Sequence, residues 1–258
     1  MKKMLLIVGL ALTVLSASAQ ESESKFAHQK GDIALSIDAT PFLNYAGDMF
    51  NGKLGGNPAP TFGDWKIMGR YFLSESSAIR VGLGIGFNST SEKELVDDVT
   101  STATPPAQVE NSASTTYSNL RLDLGYELRR GEGRLQAFYG GGIFVSSNNG
   151  GGSTSYKYGN KITEDYNPGA RLTEDKNGAS IGFGVNGFVG VEYFVSSNIS
   201  LGGQVSLGVA LSTAAKGKTT IEYWDGETVK TESFEQYSSG SGFGINTAGS
   251  GIFLSFYF

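Results

Sequence analysis

Three groupings in this 258-residue chain have the residue types and spacing that chemistry uses. Gly182-Phe183-Gly184-Val185-Asn186-Gly187 fits Gly-x-Gly-x-x-Gly, which cradles a pyrophosphate when a strand precedes it and a helix follows. Here it lies inside an apolar/polar alternation with no helical period after it, so these glycines instead relieve crowding or bend a strand. His28 is the sole histidine. A Ser-His-acid hydrolase needs its imidazole beside the nucleophile, and His28 sits in a short polar segment before the first patterned stretch, at the wrong end for loop chemistry. Two Thr-Glu-Asp triplets, containing Glu164-Asp165 and Glu174-Asp175, lie near Tyr156, Tyr158 and Tyr166. Such carboxylates could offer oxygen ligands to Ca²⁺, but the spacing is not an EF-hand and solvated loop charge is the simpler reading. With no cysteine there is no thiol catalysis, disulfide or Cys-based metal site. The expectation is a protein that is not an enzyme and holds no cofactor or metal.

The remaining charges are organised by what lies between them. In the fourth of eight patterned stretches Leu120, Leu122, Leu124, Tyr126 and Leu128 alternate with Arg121, Asp123, Gly125, Glu127 and Arg129. Period two places the two sets on opposite faces of a strand. The third stretch sets Ile79, Val81, Leu83, Ile85 and Phe87 against Arg80 and three glycines. The sixth and seventh repeat the pattern around Val185 to Tyr193 and Ile199 to Leu211. Weaker copies cover 32–45, where Pro41 suggests a bulge or strand end, and 65–73, 134–145 and 245–258.

Connections alternate in length. Those at 74–77, 130–133 and 196–198 are tight, whereas 47–63, 89–114, 146–178 and 212–241 are long and rich in Gly, Ser, Thr and Asn. Stretches of this length, with short turns at one end and long loops at the other, fit an all-β, eight-stranded antiparallel up-and-down transmembrane β-barrel. The short turns would then be periplasmic and the four long loops extracellular.

The N-terminus carries an export signal. Lys2 and Lys3 precede an apolar run from Met4 to Val14, and Ala17-Ser18-Ala19 gives a small-x-small cleavage site. The predicted organisation is a signal peptide at 1–19, a short periplasmic segment at 20–30 and the barrel at 31–258. The formal charge of −5 becomes −7 once the two leader lysines are gone, and an acidic chain without a basic patch argues against a nucleic-acid partner.

Charge also decides which face meets lipid. Lys66, Arg70, Arg80 and Arg121 would together cost roughly 8–16 kcal/mol at mid-bilayer, at about 2–4 each. They are therefore expected inside, with Asp38, Asp123, Glu127 and Glu192, as a salt-bridge network that plugs the lumen. A narrow ion or solute path using the same groups is the alternative. Aromatics at strand ends fit two interfacial girdles: Tyr71, Tyr126, Tyr193 and Phe256 at the periplasmic edge, and Tyr45, Trp65, Phe87 and Phe183 at the outer edge. A soluble lipocalin-like barrel would show the same alternation with the faces reversed.

The ending Gly251-Ile252-Phe253-Leu254-Ser255-Phe256-Tyr257-Phe258 resembles the C-terminal signal of Gram-negative outer-membrane proteins, on Gly251, Leu254, Phe256 and Phe258. Over 31–258 the chain looks like the small OmpA/OmpX-type outer-membrane barrel domains. The resemblance implies recognition by the barrel-assembly machinery during biogenesis and residence in the bacterial outer membrane beside lipid and lipopolysaccharide. A plugged lumen and four long loops lead to the expectation of a role in envelope integrity or in surface recognition and adhesion. For loop contacts the expected residues are Tyr223 and Trp224, flanking an Asp225-Gly226 turn in a hairpin over 221–230.

Overall fold

Extended backbone must pair its N–H and C=O groups sideways, and the computed structural model shows where each strand does so. It describes residues 26, 28–51, 64–131, 133–237 and 239–258, while the side chains of 41, 64–66 and 246–250 lie outside that description. The predicted leader 1–19, most of the 20–30 segment and most of the 47–63 connection also lie outside it.

In chain order the elements are β1 (Ile33–Asp38), α1 (Thr40–Phe50), β2 (Asp64–Ser74), β3 (Ser77–Asp97), β4 (Gln108–Arg130), β5 (Leu135–Asn148), β6 (Ser153–Lys157), β7 (Arg171–Lys176), β8 (Ser180–Ser196), β9 (Ile199–Ala214), β10 (Lys218–Trp224), β11 (Val229–Glu235) and β12 (Gly240–Tyr257). Eight of the strands close a ring in the order β1, β2, β3, β4, β5, β8, β9, β12, and back to β1. Every pairing is antiparallel, and closure comes from Leu35 opposite Phe256. Among the described residues no helix is long and apolar enough to cross a membrane.

Tight turns join β2 to β3, β4 to β5 and β8 to β9, all at one end of the ring. In the first of them the Ser74 and Ser77 hydroxyls share a hydrogen bond of 2.7 Å. Both ends of the described ring, Ile33 and Tyr257, meet at that same end.

The other end differs from the sequence expectation in two ways. The first stretch, expected as one strand over 32–45, breaks at Asp38. The Thr40 N–H donates to Asp38 Oδ1 at 2.9 Å, and α1 follows with Pro41 in its first turn, where a missing N–H leaves no bond unmade. Tyr45 is thus on a helix and not at a strand end. The second correction concerns the long connections, which are largely sheet. β3 and β4 stay in register from Phe87 opposite Ser118 to Asp97 opposite Gln108, through residues whose polarity suggested a loop. β6 pairs with that extension of β4, β7 with β6, β10 with β7 and β11 with β10. Solvated strands carry no apolar face, so period-two hydrophobicity could not reveal them. The Asp225-Gly226 turn between β10 and β11 forms as expected. Gly226 takes φ +108°, and Asp225 Oδ1 accepts the N–H groups of Glu227 and Thr228 at 2.9 and 2.8 Å. Those N–H groups hold the Asp225 carboxyl below its usual range.

Candidate functional site: a sealed ionic layer beneath an open cavity

The ring is inside out relative to a water-soluble protein. Its outward residues Ile33, Val81, Leu124, Val185 and Val189 are 52–60 % exposed, whereas inward Arg70, Glu127, Arg129 and Glu192 are 0–3 % exposed. A layer of five charged side chains, drawn from four strands, crosses the lumen toward the tight-turn end. Arg70 of β2 donates Nη1 and Nη2 to the two carboxylate oxygens of Glu192 at 2.8 and 3.0 Å, a bidentate pair. Its Nη2 also reaches Ser36 Oγ and Ser255 Oγ at 3.0 and 2.7 Å. Arg129 donates to Glu127 Oε1 at 3.0 Å and to Glu192 Oε2. Glu192 further accepts from Ser200 Oγ and, at 2.7 Å, from the Tyr257 hydroxyl. Arg80 Nη1 lies 3.3 Å from Glu127 Oε2, while its Nη2 donates to Gln204 at 2.7 Å. Shared partners offset the desolvation of ions that would be unstable alone.

Below this layer the tight-turn end is filled by rings. Phe72, Phe194 and Tyr257 are buried there, and Phe26 and His28 pack against them. His28 stacks on Phe72 at 4.1 Å and on Tyr257 at 4.8 Å. Gln136 donates to the Phe26 carbonyl at 2.8 Å. Burial, together with Arg129 and Arg70 nearby, drives the His28 imidazole down to about 3, so it is neutral at neutral pH.

Above the layer, large inward side chains face glycines across the strand pairs. Phe188 lies opposite Gly140, and Phe144 opposite Gly184. A Cβ at Gly140 or Gly184 would sit 2.6 Å from the facing ring. Arg80 and Arg121 lie on the Phe188 and Phe144 rings, 4.0 and 3.7 Å from their centroids. The lumen glycines therefore make room for rings and guanidinium groups. What remains open is a cavity of about 160 Å³ bounded by Arg80, Asp123, Asn186 and Gln204, and a second of about 460 Å³ nearer the long-connection end, with Arg121 on the wall of both.

The expected lumen network is thus divided. Arg70, Arg80, Glu127 and Glu192 come together. Arg121 and Asp123 form a separate pair at 2.7 Å, each about a quarter exposed. Asp38 joins neither group and accepts the Thr40 N–H, and the Lys66 side chain lies outside the described residues. Of the expected girdles, Tyr71, Phe87, Tyr126, Phe183 and Tyr193 are exposed on the outer face and Phe256 is half-buried there. The Trp65 side chain lies outside the described residues, and Tyr45 belongs to α1. In the C-terminal segment Leu254 and Phe256 alternate with buried Phe253, Ser255 and Tyr257, as period two requires. Tyr223 and Trp224 are half-buried in β10, and the Tyr223 hydroxyl donates to Glu232 at 3.0 Å, which makes them less available than expected. Asp175 accepts from Thr219 and Gln236, and Glu174 pairs with Lys176. Among the described residues no three acidic or histidine side chains converge.

Sequence reasoning missed Arg129, His28 and the inward rings. Arg129 falls on the polar face of its stretch beside Glu127, and that parity was the signal for it. The rings Phe72, Phe138, Phe194 and Phe253 fall on the inward parity of strands whose apolar face was assigned outward. That parity was the available signal.

No family model matches the chain, and no curated protein does. Among solved structures it is similar to the outer membrane protein OprG from Pseudomonas aeruginosa, at 10% identity and a TM-score of 0.33, over 91% of this chain and 99% of that one. It is also similar to a major outer membrane protein from Thermus thermophilus, at 10% identity and a TM-score of 0.38, over 88% and 98% of the two chains. At these scores the likeness carries no weight for the architecture, which the strand pairing establishes by itself.

Proposed function

We propose that the chain is an integral outer-membrane β-barrel, exported after cleavage near residue 19, with a plugged lumen and a role in envelope integrity or surface recognition. One observation carries the membrane assignment: outward Ile, Leu, Val and Phe are half-exposed around the ring while Arg70, Glu127, Arg129 and Glu192 inside are at most 3 % exposed. In water that arrangement leaves the hydrophobic effect unused, whereas in lipid it is the stable one. A closed ring also leaves no lipid-facing strand edge unpaired where all eight strands run side by side.

With the tight turns periplasmic, the sheet formed by β6, β7, β10, β11 and the extensions of β3 and β4 stands outside the cell. There it would contact lipopolysaccharide, neighbouring cells or host molecules. The tight-turn end of β12, with its terminal aromatics, would be the part met by the barrel-assembly machinery. A channel is the lesser reading, because ions would have to cross a layer in which every hydrogen-bonding charge already has a charged partner. No enzymatic activity and no cofactor are part of this proposal.

Mature protein folded into phosphatidylcholine vesicles should resist extraction by alkaline carbonate, and in planar bilayers it should be silent. Reproducible single-channel steps that change when Arg121 or Glu127 is neutralised would replace the plug with a pore. A stable, detergent-free monomer that never enters vesicles would sink the membrane assignment.

A further inference from the structure

Where the eight strands close there is no edge, but the sheet that rises from them ends openly. β11 is its last strand, paired with β10 on one side and with no described strand on the other. All seven of its residues are exposed. Free edges of this kind are usually blunted by proline, a bulge or a covering segment. β11 contains no proline, and its register with β10 runs unbroken from Lys218 opposite Glu235 to Trp224 opposite Val229. β1 stops far from it, at Asp38 opposite Phe253, where the Ala39 N–H donates to the Ile252 carbonyl at 2.7 Å. Most of β12 separates that point from Glu235.

Hydrogen bonds at the two ends of the β10–β11 hairpin fix which backbone groups are free. The Asp225 N–H donates to the Thr228 carbonyl at 3.1 Å, and the Gln236 N–H to the Gly217 carbonyl at 2.8 Å. Antiparallel pairs alternate between bonded and unbonded. Lys230, Glu232 and Phe234 therefore turn their N–H and C=O groups toward β10. Val229, Thr231, Ser233 and Glu235 turn theirs outward.

This edge is complementary to itself. An antiparallel second copy centred on Thr231 sets Thr231 opposite Thr231, Val229 opposite Ser233, and Lys230 opposite Glu232 on each side of the two-fold axis. Every outward group at 229, 231 and 233 then has a partner, giving about six backbone hydrogen bonds with an opposite-charge pair at either side. Other centres are worse: on Glu232 two carboxylates meet, and on Ser233 each Glu232 faces Phe234. Within one chain Lys230 and Glu232 have only surface partners, Asp225 at 3.3 Å and the Tyr223 hydroxyl at 3.0 Å. Glu227 and Glu235 would meet at the outer ends, where Lys216, 3.3 Å from Glu235, offsets their repulsion.

On these grounds we propose that β11 pairs with β11 of a second copy of this chain, antiparallel and two-fold symmetric, through backbone hydrogen bonds and the Lys230–Glu232 pairs. β11 leads into β12, because the β10–β11 register continues that of β9 and β12. Antiparallel pairing reverses β12 as well, so the two barrels point away from each other. They then sit in two facing membranes, and the contact joins neighbouring cells. This rests on the membrane reading above and makes its surface recognition a recognition of self.

The test uses mature protein, one barrel per phosphatidylcholine nanodisc, with donor- and acceptor-labelled discs mixed. Wild-type discs should pair, read as energy transfer and as a doubled mass in sedimentation. Lys230→Glu and Glu232→Lys should each weaken self-pairing at least tenfold, since each sets like charges opposite one another. Mixing these two variants makes every facing pair opposite in charge and should restore the wild-type level. Thr231→Pro removes no bond to β10, because that N–H faces outward, and should abolish pairing with every partner. Wild-type discs that stay single at about 100 μM, or charge variants that fail to complement each other, would overturn the proposal. So would unchanged pairing by folded Thr231→Pro. Protein that enters discs but fails these tests loses the pairing alone. Protein that stays dissolved in water without lipid or detergent loses both readings.

Discussion

The two halves of the lumen use the same chemistry to opposite ends. Near the tight turns, Arg70, Arg80 and Arg129 share Glu127 and Glu192 with at most 8 % of any of these side chains exposed. Toward the long connections, Arg121 and Asp123 make an equally short pair, but with 25 and 30 % of their side chains exposed beside open cavities. What separates them is the number of partners and the access of water. Glu192 serves two guanidinium groups and two hydroxyls at once. A charge pair is a structural keystone only where nothing else can solvate its members. Elsewhere it is a polar lining.

Neutralising one member in each half should expose this difference most strongly. Glu192→Gln removes one of the two carboxylates that Arg70 and Arg129 share, the one that binds Arg70 bidentately, and should lower stability by about 3–5 kcal/mol. Asp123→Asn should cost less than about 1 kcal/mol, since water reaches Arg121. Urea unfolding in lipid vesicles measures both, and equal losses would erase the contrast.

Packing in the open half is tight wherever a ring meets a glycine, and that sharpens the comparison. Gly184→Ala drives a methyl against the Val209 carbonyl oxygen and the Phe144 ring, the ring 2.6 Å away, and should cost about 1–3 kcal/mol. Gly203→Ala, with nothing within 4 Å, should stay within about 0.5 kcal/mol. The same unfolding assay separates them.

A pH-dependent effect belongs to His28 and the sealed half. The native imidazole titrates near 3 and the unfolded one near 6.5, so its contribution is complete above pH 6.5. It is lost progressively as pH falls toward 3, because only the unfolded chain takes up the proton there. By pH 5.5 the loss should be about 1 kcal/mol, and His28→Phe should abolish that part of the pH slope. An unchanged slope would mean that the imidazole is solvated and the end unsealed.

Much of this was legible in the residues. Period two assigned Leu120, Leu122 and Leu124 outward and Arg121 and Glu127 inward, because the face a side chain takes is a local property of extended backbone. The Asp225-Gly226 turn was legible for the same reason. The upper halves of β3 and β4 were not: Ser, Thr and Asn carry no hydrophobic period, although their backbones pair and Ser114 donates to Ser91 across the two strands at 3.1 Å. The end of β1 was only hinted at by Pro41, since whether a proline bends a strand or starts a helix depends on what Asp38 and Ile252 offer nearby.

By itself the sequence determined a set of alternating strands and the parity of their charges. Those follow from geometry that repeats every two residues. Tertiary structure alone decided that Arg70 meets Glu192 across 122 residues, that Arg129 completes the layer, that His28 is walled in and that one side of the ring stops short. Such outcomes depend on the registers of all eight strands together, and no single segment encodes a register that its distant neighbours must agree to.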